Sequence, residues 1–293
     1  MKILLAGVTG FLGRALAAHW AQHGHEVLGL VRRESLQRFT GMRIAGVTPV
    51  EYTTIDDFDT ILASSQPDVV VNTVCSYGRA GEPASEMLQV NVLFGLRLLE
   101  AATTVASTRA FINTATVLDM NTSAYSLSKW QFTQWGEFHG NQQPDGLRFI
   151  DVRLQHMYGP GDANSKFTTH VLHSCQNNIP ELRLTAGEQL RDFVYIDDVV
   201  SAYDAILTNT RSFAAFEAIE VGSGEAPSIR QFVETAHRVT ESTTHLQFGA
   251  IPYRNNEAMC CVADTTKLES LGWTRRFKLE DGIRMTITRE SMQ

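Results

Sequence analysis

Tyr125 and Lys129 stand four residues apart in the segment SAYSLSKW (123–130). On a helix that spacing puts both side chains on one face. Just upstream, the β-rich run AFINTAT (110–116) carries Thr114 near its end. A phenol, an ammonium and a hydroxyl in this setting suit hydride transfer to a ketone. That reaction makes an alkoxide, which must take up a proton. A tyrosine can supply the proton if its pKa of about 10 falls toward neutrality, and a nearby ammonium lowers it by stabilising the phenolate. Thr114 would hydrogen-bond the carbonyl oxygen and orient it. The pair alone proves little, because a surface lysine and an ordinary strand-end hydroxyl would look the same. The elements around it carry the argument.

Hydride chemistry needs a dinucleotide. Residues 7–13 read GVTGFLG, directly after the apolar run KILLA (2–6) and at the start of a helical pattern over 11–23. Glycines there permit a tight turn, close approach of the backbone to a pyrophosphate, and close packing of helix on strand. The helix N-terminus offers free N–H groups to the phosphates. A second β-rich run, EVLGLV (26–31), follows at the expected distance. Its end selects the dinucleotide. An acid would bind the ribose hydroxyl of NAD, whereas arginine suits the 2′-phosphate of NADP. Arg32 and Arg33 stand there, with no acid before Glu34, so NADP(H) is expected.

Further β-rich runs at 67–74 (PDVVVNTV), 110–116 and 148–154 (RFIDVRL) alternate with helical patterns over about 84–105 and 123–139. Alternation of this kind builds a parallel sheet, and strands without polar alternation imply helices on both faces. After about residue 155 the pattern loosens. A Gly/Pro/Asn/Asp cluster spans 159–165, a helix is expected at 167–176, and strand-like EAIEVG returns at 217–222. The expected fold is α/β: a Rossmann-type doubly wound parallel sheet with a smaller, interleaved C-terminal substrate-binding lobe. Residues 1–160, with return segments at about 190–222, would form the NADP-binding domain. Residues 161–293 would form most of the lobe.

Composition removes other classes. The 293 residues hold 25 Lys and Arg against 32 Asp and Glu, a net charge of −7, and only five of the cations are lysines. Such a chain lacks the electrostatic footprint of a duplex-binding protein. Its hydrophobic fraction of 43% is globular. No apolar run approaches the roughly 20 residues of a membrane span, so a soluble protein is expected. Cys75, Cys175, Cys260 and Cys261 do not form a disulfide framework. The N-terminus reads as a buried strand, not a signal peptide, and a cytoplasmic location is expected. The histidines and cysteines lack ligand spacing, so no metal is expected.

Taken together, these motifs resemble the extended short-chain dehydrogenase/reductases that act on nucleotide sugars. GVTGFLG, PDVVVNTV, NVLFGLRLLEAA (91–102), YSLSK (125–129), LQHMYGPGD (154–162), RDFVYIDD (191–198) and ADTTKLESLGW (263–273) carry the likeness over almost the whole chain. The stretches NTVCSYGR (72–79), LQHMYGPGD, SKF (165–167) and GEQLRDFVYIDD (187–198) are similar to the CDP-abequose and CDP-paratose synthase branch. Those enzymes reduce the 4-keto group of a CDP-linked dideoxyhexulose with NADPH. The dTDP-sugar 4-ketoreductases are near neighbours.

The resemblance implies roles. Gly7, Thr9, Gly10, Phe11, Leu12 and Gly13 would form the dinucleotide turn. Asn72, Thr73 and Val74 would lie along the cofactor, with Asn91 behind them. Thr114, Tyr125 and Lys129 would be the catalytic triad, Lys129 also reaching the nicotinamide ribose. Arg191 and Arg254 would hold the sugar nucleotide's diphosphate or ribose. Ser165, Lys166 and Phe167 would cover the nucleotide, and Ser76, Tyr77 and His156 would lie near the substrate. Three departures matter. The family's 4,6-dehydratases follow the catalytic threonine with an Asp–Glu or Ser–Glu pair, where this chain has Ala115 and Thr116. Neither can do acid–base work, which argues against a dehydratase. Leu118 replaces a common tyrosine, and Asn72 a common histidine.

The expected function is therefore an NADPH-dependent reductase of the C4 keto group of a nucleotide-linked 4-keto-6-deoxyhexose, with or without the 3-hydroxyl. It would serve deoxysugar biosynthesis for surface polysaccharide. The CDP-sugar is favoured over the dTDP-sugar. A 4-epimerase with bound NAD would use the same triad, and a non-catalytic NADP sensor is a third alternative. A homodimer is expected, and Trp130 and Trp135 fit either a dimer face or core packing.

Overall fold

The computed structural model describes residues 1–42, 44–254 and 257–292. In chain order its strands are β1 (Lys2–Ala6), β2 (Glu26–Arg32), β3 (Val47–Tyr52), β4 (Val69–Asn72), β5 (Ala110–Thr116), β6 (Arg148–Leu154), β7 (His156–Tyr158), β8 (Glu181–Leu184), β9 (Leu190–Arg191), β10 (Phe193–Tyr195), β11 (Phe216–Val221), β12 (His245–Phe248) and β13 (Cys260–Cys261). The helices are α1 (Phe11–Gln22), α2 (Leu36–Met42), α3 (Phe58–Ser65), α4 (Ala84–Leu88), α5 (Phe94–Thr103), α6 (Ala124–Gln142), α7 (Phe167–Gln176), α8 (Ile196–Thr208), α9 (Ile229–Val239), α10 (Thr266–Ser270) and α11 (Leu279–Glu290). Seven strands form one sheet in the order β11-β6-β5-β4-β1-β2-β3. The pairs from β3 through β2, β1 and β4 to β5 run parallel. The order reverses beside β1, where α/β sheets open a crevice for ligands. This is the doubly wound sheet expected from the alternating pattern.

The chain forms two compact units, residues 1–153 with 203–219, and residues 154–202 with 220–293. In the first unit β1 and β4 are buried on both faces, as apolar strands covered by helices must be. Phe132 of α6 packs edge-on to Phe149 of β6, with ring centres 5.6 Å apart, and Phe149 stacks on Phe111 of β5 at 5.5 Å. All three rings are fully buried. They seat the helix that carries Tyr125 and Lys129 on the strand that carries Thr114.

Several elements differ from the sequence expectation. β3 and α3 were not anticipated. β3 is an edge strand with a proline, VTPVEY, so its residues face water and the apolar signal is diluted. The helix expected over 84–105 is interrupted by a π-helical turn at 89–93, between α4 and α5. Such bulges recur at functional sites, and this one carries Asn91. In the second unit β7 pairs with β10, β8 with β12 and β9 with β13, each in parallel. No helix among the described residues is long and apolar enough to cross a membrane, and the four cysteines are free thiols.

Candidate active site

The glycine turn is built by steric necessity. Gly7 has φ +85°, and a Cβ there would run into Thr73 just after β4. A Cβ on Gly13 would run into the Gly7 carbonyl. Gly10 caps α1 and donates its N–H to the Gly7 carbonyl at 2.9 Å. The first turn of α1 contains no acid, and its leading N–H groups have no intrahelical acceptor. Phe11, Leu12 and Gly13 therefore present donors where a pyrophosphate would lie. Thr73 anchors the neighbouring strand end: its N–H and hydroxyl both reach the Ala6 carbonyl, at 3.0 and 2.9 Å. The residues present fit a dinucleotide, because the cradle exists only while those positions lack side chains.

Arg32 and Arg33 lie at the end of β2 with half or more of each side chain exposed. Both have protein partners that sequence spacing hid. Arg33 pairs with Glu51 of β3, and Arg32 lies 4.0 Å from Glu34, with Tyr52 acting to raise its pKa. Glu51 and Tyr52 went unread because their strand did.

Behind the turn, Asn72 accepts the Val74 N–H at 3.2 Å. Asn91, 2% exposed, accepts the Ser76 N–H at 2.7 Å and donates to the Ser76 carbonyl at 2.8 Å and to Ser128 at 2.9 Å. Ser128 donates in turn to the Tyr125 carbonyl at 2.8 Å. The π turn thus ties the segment after β4 to α6. Cys75, Tyr77 and Arg79 on that segment reach the site: the Tyr77 ring lies 4.9 Å from the Tyr125 ring, with Arg79 over the face of Tyr77 at 4.8 Å.

Helix α6 begins with a capping box in which Ser123 and Ser126 each bond the other's backbone N–H, at 3.1 and 2.9 Å. The box fixes where the helix starts, and hence places Tyr125 in its first turn and Lys129 one turn on. The Thr116 hydroxyl accepts the Leu118 N–H at 3.2 Å and acts on the Tyr125 phenol to lower its pKa. Thr114 is 2.7 Å from the phenol of Tyr203 on α8. Thr116 was read from the sequence only as a departure from the dehydratase pair, and Tyr203 was not singled out. Tyr203 could have been, because a phenol on the apolar stripe with Val199 and Ile206 needs a partner. Burial pushes the Tyr125 phenol above its ordinary range, with Cys75 adding to the shift and Thr116 and Arg79 opposing it. Burial also holds the Lys129 ammonium below the usual lysine range. The sequence argument expected the Lys129 ammonium to depress the phenol; in this structure burial dominates, the opposing influences come from Thr116 and Arg79 and not from Lys129, and the phenol stays protonated at neutral pH.

The remaining expected residues belong to the second unit. His156 opens β7, its N–H bonded to the Asp192 carbonyl at 3.1 Å and its ring 6.1 Å from Phe193. Ser165 and Phe167 are exposed, and Lys166, which caps α7, lies 3.8 Å from Asp162. Arg191 is 7% exposed and pairs with Glu257. Arg254 is exposed, and its carbonyl accepts the Glu257 N–H at 3.2 Å. Glu257 was not anticipated. The two tryptophans separate: Trp130 donates to the Leu118 carbonyl at 2.7 Å beneath Arg153, whereas Trp135 is exposed.

A glycine turn after β1, a Thr-Tyr-Lys set and a doubly wound sheet define a nicotinamide-dependent enzyme class. The model of the NAD dependent epimerase/dehydratase family matches residues 3–222, and the chain belongs to that family. It is 32% identical to CDP-abequose synthase of Salmonella muenchen over 98% of this chain and 97% of that protein. It is 26% identical to dTDP-6-deoxy-L-talose 4-dehydrogenase (NAD(P)(+)) of Kitasatospora kifunensis, over 99% and 96%. In fold it is similar to Thermus thermophilus UDP-glucose 4-epimerase solved with NAD, with a TM-score of 0.82, 20% identity and 99% of each chain covered.

Proposed function

We propose that this protein is an NADPH-dependent reductase of the C4 keto group of a nucleotide-linked 4-keto-6-deoxyhexose, in deoxysugar biosynthesis in the cytoplasm. The observation that carries the reading is the Thr114, Tyr125 and Lys129 set next to Ala115 and Thr116. A dehydratase of this family carries an Asp–Glu or Ser–Glu pair at the last two positions, where this chain has a methyl group and a hydroxyl that accepts the Leu118 N–H at 3.2 Å. The full-length likeness to a CDP-sugar enzyme favours a CDP-linked substrate, with a dTDP-linked one second.

When bound, NADPH supplies the hydride that goes to C4. The chain's own residues do the rest. Thr114, held by Tyr203, hydrogen-bonds the C4 oxygen. Tyr125 gives that oxygen its proton, so ketone, hydride and proton together make the alcohol. The phenol's retained proton suits a donor. Lys129 supplies positive charge to the phenolate left behind. Arg32 and Arg33 would take the 2′-phosphate. In the second unit Arg191 and Arg254 would take the diphosphate, Ser165, Lys166 and Phe167 would cover the nucleotide, and His156 would line the sugar.

We include a homodimer in this reading. Trp135 and Phe138, 46% and 57% exposed, line a groove of about 560 Å³ with Leu88 and Val92. A second copy would bury these rings.

The test mixes protein, NADPH and CDP- or dTDP-4-keto-6-deoxyhexose and follows absorbance at 340 nm. Stoichiometric loss of NADPH with formation of the 4-hydroxy sugar is expected. The pairing of Arg33 with Glu51 gives the 4-epimerase reading its one support. Protein that purifies with stoichiometric NAD, and inverts C4 without consuming NADPH, would establish it instead.

A further inference from the structure

Three buried polar side chains form a row across adjacent strands of the first unit. Asn72 on β4, Asn113 on β5 and Asp151 on β6 are 2%, 0% and 0% exposed. Asn72 and Asn113 are register partners, and Asn72 donates to Asn113 at 3.4 Å. Asn113 donates to Asp151 at 3.0 Å. From α6, the Thr133 hydroxyl sits 3.0 Å from both Asp151 oxygens and 3.3 Å from the Lys129 carbonyl. The row therefore ends on a carboxylate seated one helical turn from Lys129.

A buried carboxylate must be paired or it gives up its charge. Two cations act on Asp151. Arg153, on its own strand, holds Nε 3.6 Å away with its guanidinium over Trp130 at 4.8 Å. Lys129 acts from α6. The Tyr203 phenol on α8 also feels the carboxylate. Lys129 in turn faces the Cys75 thiol, from the segment after β4, and Asp151. Of these two groups, Asp151 is the carboxylate. Lys129 is 2% exposed, and burial alone favours the neutral amine. An amine could not do the electrostatic work assigned to Lys129.

We propose that Asp151 is a positioning residue of this site: seated by Asn113 and Thr133, its carboxylate is the buried counter-charge that keeps Lys129 an ammonium. The consequence for turnover rests on the reductase reading, but the charge pairing does not. Arg153 offsets part of the negative charge, so Asp151 serves both cations. Burial raises the Asp151 carboxyl above its ordinary range, and the hydrogen bonds from Asn113 and Thr133, with the charges of Arg153 and Lys129, oppose that rise and favour the ionised form.

The experiment uses the full chain with lysines 13C-labelled at Cε. Five lysines give five signals, and Lys129→Met identifies the one of interest. In Asp151→Asn the Lys129 titration midpoint should fall by about one pH unit or more. Asp151→Glu should restore part of it. Under turnover, Asp151→Asn should lower kcat with KM within about threefold, and the alkaline loss of kcat/KM should begin at lower pH. An unchanged Lys129 midpoint in Asp151→Asn overturns the proposal. Should that variant fail to fold, Thr133→Val keeps the volume and removes the hydroxyl from the carboxylate. A smaller fall of the same sign is then expected, and no fall overturns the proposal. If the protein reduces no nucleotide sugar, the reductase reading fails while the lysine titration still decides this one.

Discussion

The two units hold their charged residues in different ways. In the first, Asp151, Asn113, Asn72 and Thr133 bond to one another inside the protein, and Asn91 and Ser128 do the same beside them. In the second, Arg191 is buried against Glu257. The first arrangement is complete without a ligand and can stay fixed through a catalytic cycle. The second sets a carboxylate where an anionic ligand would compete. Chemistry that must position a proton to a fraction of an ångström favours the first. Capture and release of a multiply charged nucleotide sugar favours the second, because each departing phosphate is replaced by a side chain. The contrast also refines what the net charge of −7 means. On the proposed reading the protein would meet small anions with local donors, and its own acids would hold those donors in place meanwhile.

The largest expected effect lies in the fixed unit. Tyr125→Phe removes the proposed proton donor and leaves the ring that packs on Tyr77. kcat should fall about 10³-fold, within the 10²–10⁴ range for a positioned acid, with KM nearly unchanged. A loss below tenfold would mean that another group delivers the proton, and the assignment of fixed chemistry to this unit would break. Gly13→Ala comes next. Its Cβ would meet the Gly7 carbonyl, so stability should drop by about 1–3 kcal/mol. Dinucleotide affinity should fall at least tenfold, as read by quenching or calorimetry. Unaltered affinity would show that the turn tolerates a shift.

The exchangeable unit should respond in the opposite sense. Arg191→Ala should raise KM for the nucleotide sugar by about tenfold, the worth of one charged hydrogen bond, and change kcat little. Glu257→Gln should lower KM, because the competing charge is gone, and also lower the melting temperature, because a buried arginine loses its partner. If Glu257→Gln raises KM as Arg191→Ala does, Glu257 belongs to the ligand site and the contrast between the units fails.

How far residues could be read ahead of the structure follows the same division. The β1 turn, β5, α6 and their Thr-Tyr-Lys set were legible because each is fixed by local rules: glycine where a Cβ cannot go, apolar runs for buried strands, i and i+4 for one helix face. What escaped depends on pairing across the fold. Asp151 lies in RFIDVRL, where one acid in an apolar strand signals a buried charge but not its partner. Tyr203 is 89 residues from Thr114, and Glu257 is 66 from Arg191. No spacing rule links such pairs. β3 escaped because an edge strand with a proline loses the apolar run that marks its inner neighbours. With it went Glu51, the acid that faces Arg33.

That omission sets the smallest expected effect and the finest test of the contrast. Arg32 and Arg33 lie in the first unit, yet Arg33 is engaged the way Arg191 is, by a carboxylate. If the pairing is exchangeable, a 2′-phosphate will draw Arg33 from Glu51, and the preference for NADPH over NADH will depend on both residues. Arg33→Ala should then reduce that preference by about three- to tenfold, a charged hydrogen bond at an exposed site being worth less than a buried one. Glu51→Gln should increase it by about twofold, since it frees the guanidinium without removing it. The ratio of kcat/KM for the two dinucleotides measures both, and salt should shrink both effects because these side chains are solvated. A preference that ignores Arg33 and follows Arg32 alone would assign the 2′-phosphate to one guanidinium. It would make the Arg33–Glu51 pair a fixed strut between β2 and β3, and confine exchangeable charge to the second unit.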